Sequence, residues 1–154
     1  VEYHQLVPAV KTLLDRVKQT IHARGNVRNF FGRYFQFELD FAYVALNYLC
    51  QGTAADLFKN RVNAIFYDRR TIASGAKMVT NIHDSVLARL PNVASAQNYW
   101  EVVQELAGQV PNLSVPILVD GEVAIGNWGN IMKIQNNNIA ETVALLKERT
   151  CKIG

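Results

Sequence analysis

Residues 41–67, FAYVALNYLCQGTAADLFKNRVNAIFY, carry one long helical pattern, and the rest of the chain has to fold around it. Asn47 and Gln51 stand four residues apart within it, so two side-chain amides share one face. Gly52 and Thr53, in its middle, are poor helix formers that mark a bend or the close approach of another backbone.

Helical and extended patterns mix on either side. Residues 5–24 set Leu6, Val10, Leu13, Leu14, Val17 and Ile21 on one stripe of an amphipathic helix, with Pro8 in its first turn and Gly25 as its stop. NVRNFFGRYF, 26–35, reads as a short extended piece broken by Gly32, and TIASGA, 71–76, as a turn. Residues 77–90 read as a hairpin-like pair of strands. Pro91 and Ser95 introduce a helix over about residues 96–107, with Tyr99, Val102, Val103 and Leu106 inward. VPILVDGEVAIGNW, 115–128, is a strand or hairpin, and NNNIAETVALLKERT, 136–150, a final helix capped near Asn138 with Ala140, Val143 and Leu146 on one face. The order lacks βαβ regularity and predicts an α+β fold, a small antiparallel sheet with one long helix and flanking helices. No repeat, low-complexity stretch or linker interrupts it, so residues 1–154 read as a single domain.

That length suffices to bury roughly 70% of the unfolded surface. Hydrophobic residues make up 49% and no run of eighteen apolar residues occurs, so no membrane partner is expected. The N-terminus lacks the features of a signal peptide, and it lacks an initiator Met, which fits processing or excision from a longer chain. Cys50 and Cys151 lie far apart outside any Cys/His cluster, and read as reduced thiols of a cytoplasmic protein without a zinc site.

The net charge is +3, unevenly spread. Lys11, Arg16, Lys18, Arg24, Arg28 and Arg33 outnumber Glu2 and Asp15 in the first 34 residues, whereas residues 95–130 hold Glu101, Glu105, Asp120 and Glu122 and no Lys or Arg. One end is suited to a polyanion.

His83 and Asp84 pose the sharpest question, an ionisable pair inside the strand pattern of NIHDSVLARL, 81–90. A carboxylate buried there without a partner would cost several kcal/mol, so Asp84 is either exposed or matched to a cation or donors.

Three stretches in order resemble the C-terminal part of family A DNA polymerases, the bacterial polymerase I-like group. GNVRNFFGRYF is similar to the Gly-Tyr-Val-x-Thr-x-x-Gly-Arg-Arg segment at Gly25, Val27, Gly32 and Arg33. NYLCQGTAADLFK resembles the Asn-x-x-x-Gln-Gly-Thr-Ala-Ala-Asp helix at Asn47, from Gln51 to Leu57, and at Lys59. NIHDSV resembles the Val-His-Asp-Glu of motif C in the palm, at the family's distance after that helix, and VPILVDGEVAIGNW echoes the family's closing segment.

The resemblance implies template-directed transfer of a nucleotide from a dNTP to a primer 3′ end. Such phosphoryl transfer uses two Mg²⁺ ions, hard cations that take carboxylate oxygens, and Asp84 is the expected ligand and catalytic residue. His83, one strand position earlier, would point to the opposite face, near the primer terminus. Asn47 and Gln51 are implied to donate to the minor-groove acceptors that every base pair of primer-template DNA presents. Arg33, on a family position, and Arg28 are candidate phosphate contacts.

The sequence departs from the pattern at Ser85, where motif C has Glu, and at Tyr34 and Tyr43, where the family has Arg. The motif A aspartate and the fingers helix that grips the triphosphate have no counterpart in these 154 residues. The chain is thus expected to be half of an active site, a subunit of a split polymerase or a fragment of a longer one. It would work with a complementary N-terminal polymerase chain carrying motif A and the fingers. About residues 131–154 extend past the resemblance as a helical tail. Two rivals remain, a metal phosphohydrolase, for which His4 and His22 are too few and badly placed, and a non-catalytic DNA-binding module derived from a polymerase.

Overall fold

Proline starts and glycine stops bound the first helix as the sequence predicts. The computed structural model describes residues 7–151, without the side chains of 150 and 151. Helix α1 spans Pro8–Arg24 and ends at Gly25, whose φ of 70° is left-handed and whose N–H donates to Ile21 O at 2.7 Å. Leu6, His4 and the Cys151 thiol lie outside the described residues and side chains.

The chain divides into two compact units after Lys59. In the first, β1 (Asn26–Arg28) and β2 (Tyr34–Gln36) pair antiparallel, with Val27 opposite Phe35 and Arg28 opposite Tyr34. A 3₁₀ turn over Leu39–Val44 leads into α2, Ala45–Tyr67, so the long helix begins later than its sequence pattern suggests. Val17 and Ile21 of α1, Val27, Ala42 and Ala45 form the core, with Phe35, Phe37, Leu46 and Leu49 packed against it. Gly52 does not interrupt α2. A Cβ there would sit 2.5 Å from Cζ of Phe35, so the close neighbour is an aromatic ring and not a backbone. Thr53 stays helical by donating its hydroxyl to Leu49 O at 2.6 Å.

The second unit takes in the end of α2 from Asn60 on, followed by a short helix, α3 (Arg69–Ala73), where the sequence suggested only a turn. Asp68 caps it, accepting from the Arg70 N–H at 2.8 Å, and the turn proper is left to Ser74 and Gly75. Strands β3 (Lys77–Ile82) and β4 (Ser85–Arg89) form an antiparallel ladder with a bulge between Met78 and Thr80. Helix α4, Val93–Gly108, starts three residues earlier than expected because Asn92 caps it, accepting from the Ser95 N–H. Arg61 closes its other end by donating to the carbonyls of Leu106, at 3.1 Å, and Gln109.

Strand β5 (Glu122–Ala124) pairs with β6 (Ile131–Lys133), and α5 runs over Ile139–Cys151, with Asn138 accepting from the Glu141 N–H at 3.0 Å. Trp100 of α4 meets Ile139 and Val143 of α5 in the core of this unit. The buried face of α5 is Ile139, Thr142, Val143 and Leu146, and Ala140 is exposed. Ile134, Ile139 and Val143, past the point where the sequence resemblance ends, are therefore part of this core. The architecture is α+β, with five α-helices and three separate two-stranded antiparallel sheets among the described residues. Among them no helix is long and apolar enough to cross a membrane.

Candidate functional site

In the first unit, the side chains matched to the helix motif divide into an outward face and a clasp. Asn47 and Gln51 are both exposed, one turn apart on α2, so their amides are open to a ligand. Asp56, one turn beyond Gly52, is drawn inward. Its carboxylate accepts from Asn29 Nδ2 at 2.7 Å, from Arg33 Nε at 2.9 Å and from Arg33 Nη2. Burial pushes the Asp56 pKa up, but the hydrogen bonds from Asn29 and Arg33, with the charges of Arg33 and Lys59, outweigh it and hold the carboxyl below its ordinary range.

Asn29 is the hub of this clasp. It is buried, and its Oδ1 accepts from the backbone N–H groups of Phe31 at 3.0 Å and Arg33 at 2.9 Å. One amide thus shapes the β1–β2 turn and ties it to α2. Arg33, proposed from the sequence as a phosphate contact, has an internal carboxylate partner. Arg28 is exposed and lies over the Tyr34 ring, 3.9 Å from its centroid. The clasp was not foreseen, although opposite charges at two matched motif positions, Arg33 and Asp56, carried a signal for it.

In the second unit, Ile82 pairs with Ser85, which leaves His83 and Asp84 as the two-residue turn of the β3–β4 hairpin. His83 has φ 54°, the left-handed backbone that two-residue hairpin turns favour and that costs a non-glycine residue of order 1 kcal/mol. Strand alternation does not govern a turn, so the expectation that His83 and Asp84 point to opposite sheet faces has no basis here. The hairpin is covered only in part, at Met78, Val86 and Ala88. His83, Asp84, Ser85 and Ile82 are all exposed, and with them Val79 and Leu87. Asp84 needs no internal partner because it projects from a turn into solvent.

Among the described residues no group of three or more His, Cys, Asp or Glu forms a metal cluster. Asp84 offers one hard oxygen donor of the kind Mg²⁺ takes, so the fit to a divalent ion is that of one ligand in a set.

Comparison with known proteins gives this geometry a context. Residues 1–130 match the family model described as DNA polymerase family A. The DNA polymerase DpoZ of Acinetobacter phage SH-Ab 15497 is 29% identical over 127 residues, covering 82% of this chain and 20% of its own length. The thermostable DNA polymerase I of Thermus aquaticus is 29% identical over 134 residues, covering 80% of this chain and 15% of its own. DNA polymerase I of Streptococcus pneumoniae is 25% identical over 130 residues, covering 77% and 14%. The chain spans about a fifth or less of the length of these relatives.

Proposed function

The chain belongs to DNA polymerase family A, and from that premise we propose that residues 1–154 are the C-terminal palm part, or a palm subunit, of a DNA-directed DNA polymerase. The reaction is template-directed nucleotidyl transfer from a dNTP to a primer 3′ end. The observation that carries this reading is the His83-Asp84 turn. An exposed carboxylate stands at the tip of a hairpin, in sequence order after a helix that exposes Asn47 and Gln51.

A two-residue turn between paired strands fixes the Asp84 backbone, and so the point from which its carboxylate reaches a metal. When bound, a pair of divalent ions would supply Lewis-acid stabilisation of the attacking and leaving oxygens. Asp84 contributes one ligand to that set. The motif A aspartate and the triphosphate-gripping fingers come from a complementary polymerase chain or segment. His83, exposed beside Asp84, hydrogen-bonds the primer terminus on this reading. Asn47 and Gln51 donate to purine N3 and pyrimidine O2, which reports pair shape without reading sequence. Arg28 meets backbone phosphate, and Arg33 acts by holding Asp56 and the β1–β2 turn.

Primer extension with Mg²⁺ and dNTPs, on the chain mixed with a complementary family A half, tests this. Synthesis that Asp84→Asn abolishes, with primer-template affinity within about twofold, is the expected result. Synthesis indifferent to Asp84→Asn would overturn the assignment. DNA binding without synthesis in any combination would point to the non-catalytic module.

A further inference from the structure

The β1–β2 hairpin has two faces of opposite character. Val27 and Phe35 turn inward to the core of the first unit. By strand alternation the paired residues Asn26 and Gln36, and Arg28 and Tyr34, share the other face. Tyr34 is 56% exposed although the Arg28 guanidinium lies over its ring. At the turn, Phe30 and Phe31 stand 45% and 37% exposed, edge to face with centroids 5.1 Å apart. The Asn29 hydrogen bonds to the N–H groups of Phe31 and Arg33 hold that turn in shape, so the rings are presented on a fixed backbone. Two phenyl rings and a phenol in water are unfavourable for the chain alone, and the arrangement suits flat, apolar, π-faced partners.

The charge around them narrows the partner. Among the described residues neither Arg24 nor Arg28 is ion-paired with a carboxylate, and Arg16 and Lys18 add to the same sign on α1. Exposed aromatic rings beside unneutralised cations are what an unpaired nucleic-acid strand takes: bases stack on the rings and phosphates meet the cations. A duplex keeps its bases stacked on one another and gains only the second of these.

We propose that the outer face and turn of the β1–β2 hairpin form a stacking platform for single-stranded DNA, through Tyr34, Phe30 and Phe31 with Arg28 as the cation. On the polymerase reading, on which this rests, the natural occupant is an unpaired stretch of the template strand.

The test is fluorescence anisotropy of the purified chain with a labelled oligothymidine of about a dozen nucleotides, and with a duplex of the same length. Tyr34→Ala, and the Phe30→Ala/Phe31→Ala pair, should each weaken single-strand binding about fivefold or more, while duplex binding stays within about twofold. Tyr34→Trp should keep single-strand affinity, since it keeps the ring. An unchanged single-strand affinity in both alanine variants, or equal losses on single strand and duplex, would overturn the platform. Duplex binding by the native chain without single-strand binding would overturn the platform and leave the palm reading standing. Absence of both would remove the two together.

Discussion

Asp56 is the residue through which the first unit is most open to a quantitative test. Its side chain is 11% exposed and accepts one hydrogen bond from Asn29 and two from Arg33, whose own side chain is 53% exposed. An ion pair open to water contributes about 0–1 kcal/mol, and breaking a fully buried one costs about 3–5 kcal/mol. With one partner nearly buried and the other half exposed, Asp56→Ala should cost about 2 kcal/mol. For a chain of this size that lowers the melting temperature by about 4–8 °C. A double-mutant cycle with Arg33→Met, followed by urea denaturation at neutral pH, should return a coupling of about 1 kcal/mol. The same clasp predicts an acid signature. The folded-state carboxyl titrates below its ordinary value of 3.8, so its contribution is complete above that value and is lost as pH falls through the folded-state pKa. Asp56→Ala should remove that part of the acid dependence. A melting shift under 1 °C, or a coupling near zero, would refute the view that the clasp fastens the hairpin turn to α2.

Gly52→Ala should gain about 1 kcal/mol in helix propensity yet lose about 1–3 kcal/mol by forcing the Phe35 ring aside, for a net loss in chemical denaturation. In a Phe35→Leu background the sign should reverse. Leu146→Ala removes a side chain only 1% exposed and should cost about 2–5 kcal/mol, read as loss of helical signal from the second unit. Asn47→Ala/Gln51→Ala should weaken primer-template binding by about tenfold while leaving the melting temperature within a degree or so, because both side chains are exposed.

What the sequence disclosed and what it hid follow from the range of the forces involved. The stop at Gly25 and the cap at Asn138 were legible because each is settled by residues within one turn. The helix Arg69–Ala73 was missed because its cap, Asp68, serves only five residues before Ser74 and Gly75 end it, and the turn residues dominate the pattern. Contacts distant in sequence left weaker traces. Phe35 against Gly52, and Arg33 against Asp56, join segments 17 and 23 residues apart, so a close approach was readable at Gly52 but its agent was not. The site divided in the same way. A hairpin around His83-Asp84 was expected, but no glycine or asparagine marked the pair as the turn itself, and alternation was carried one step too far. Strand β6 was invisible for a different reason, since three residues, Ile131–Lys133, carry no periodicity.

The exposed apolar side chains of the β3–β4 hairpin bear on the proposed need for a partner chain. A two-stranded ladder is marginal in water, and it is ordinarily kept by placing its apolar side chains against a core. Strands β3 and β4 cover Met78, Val86 and Ala88 only in part and leave Val79 at 60%, Ile82 at 45% and Leu87 at 37% exposure. Three such residues on one small ladder, ending in a turn whose His83 takes a left-handed backbone, are costly for a surface ornament. They are well suited to a hairpin that another part of the polymerase covers. On the proposed reading the partner that brings the second aspartate also brings the apolar surface for this ladder. Burial of Val79, Ile82 and Leu87 would then occur in the same event that assembles the carboxylates. Catalytic competence and hairpin stability would be coupled, which suits a site that should act only when both halves and the DNA are in place.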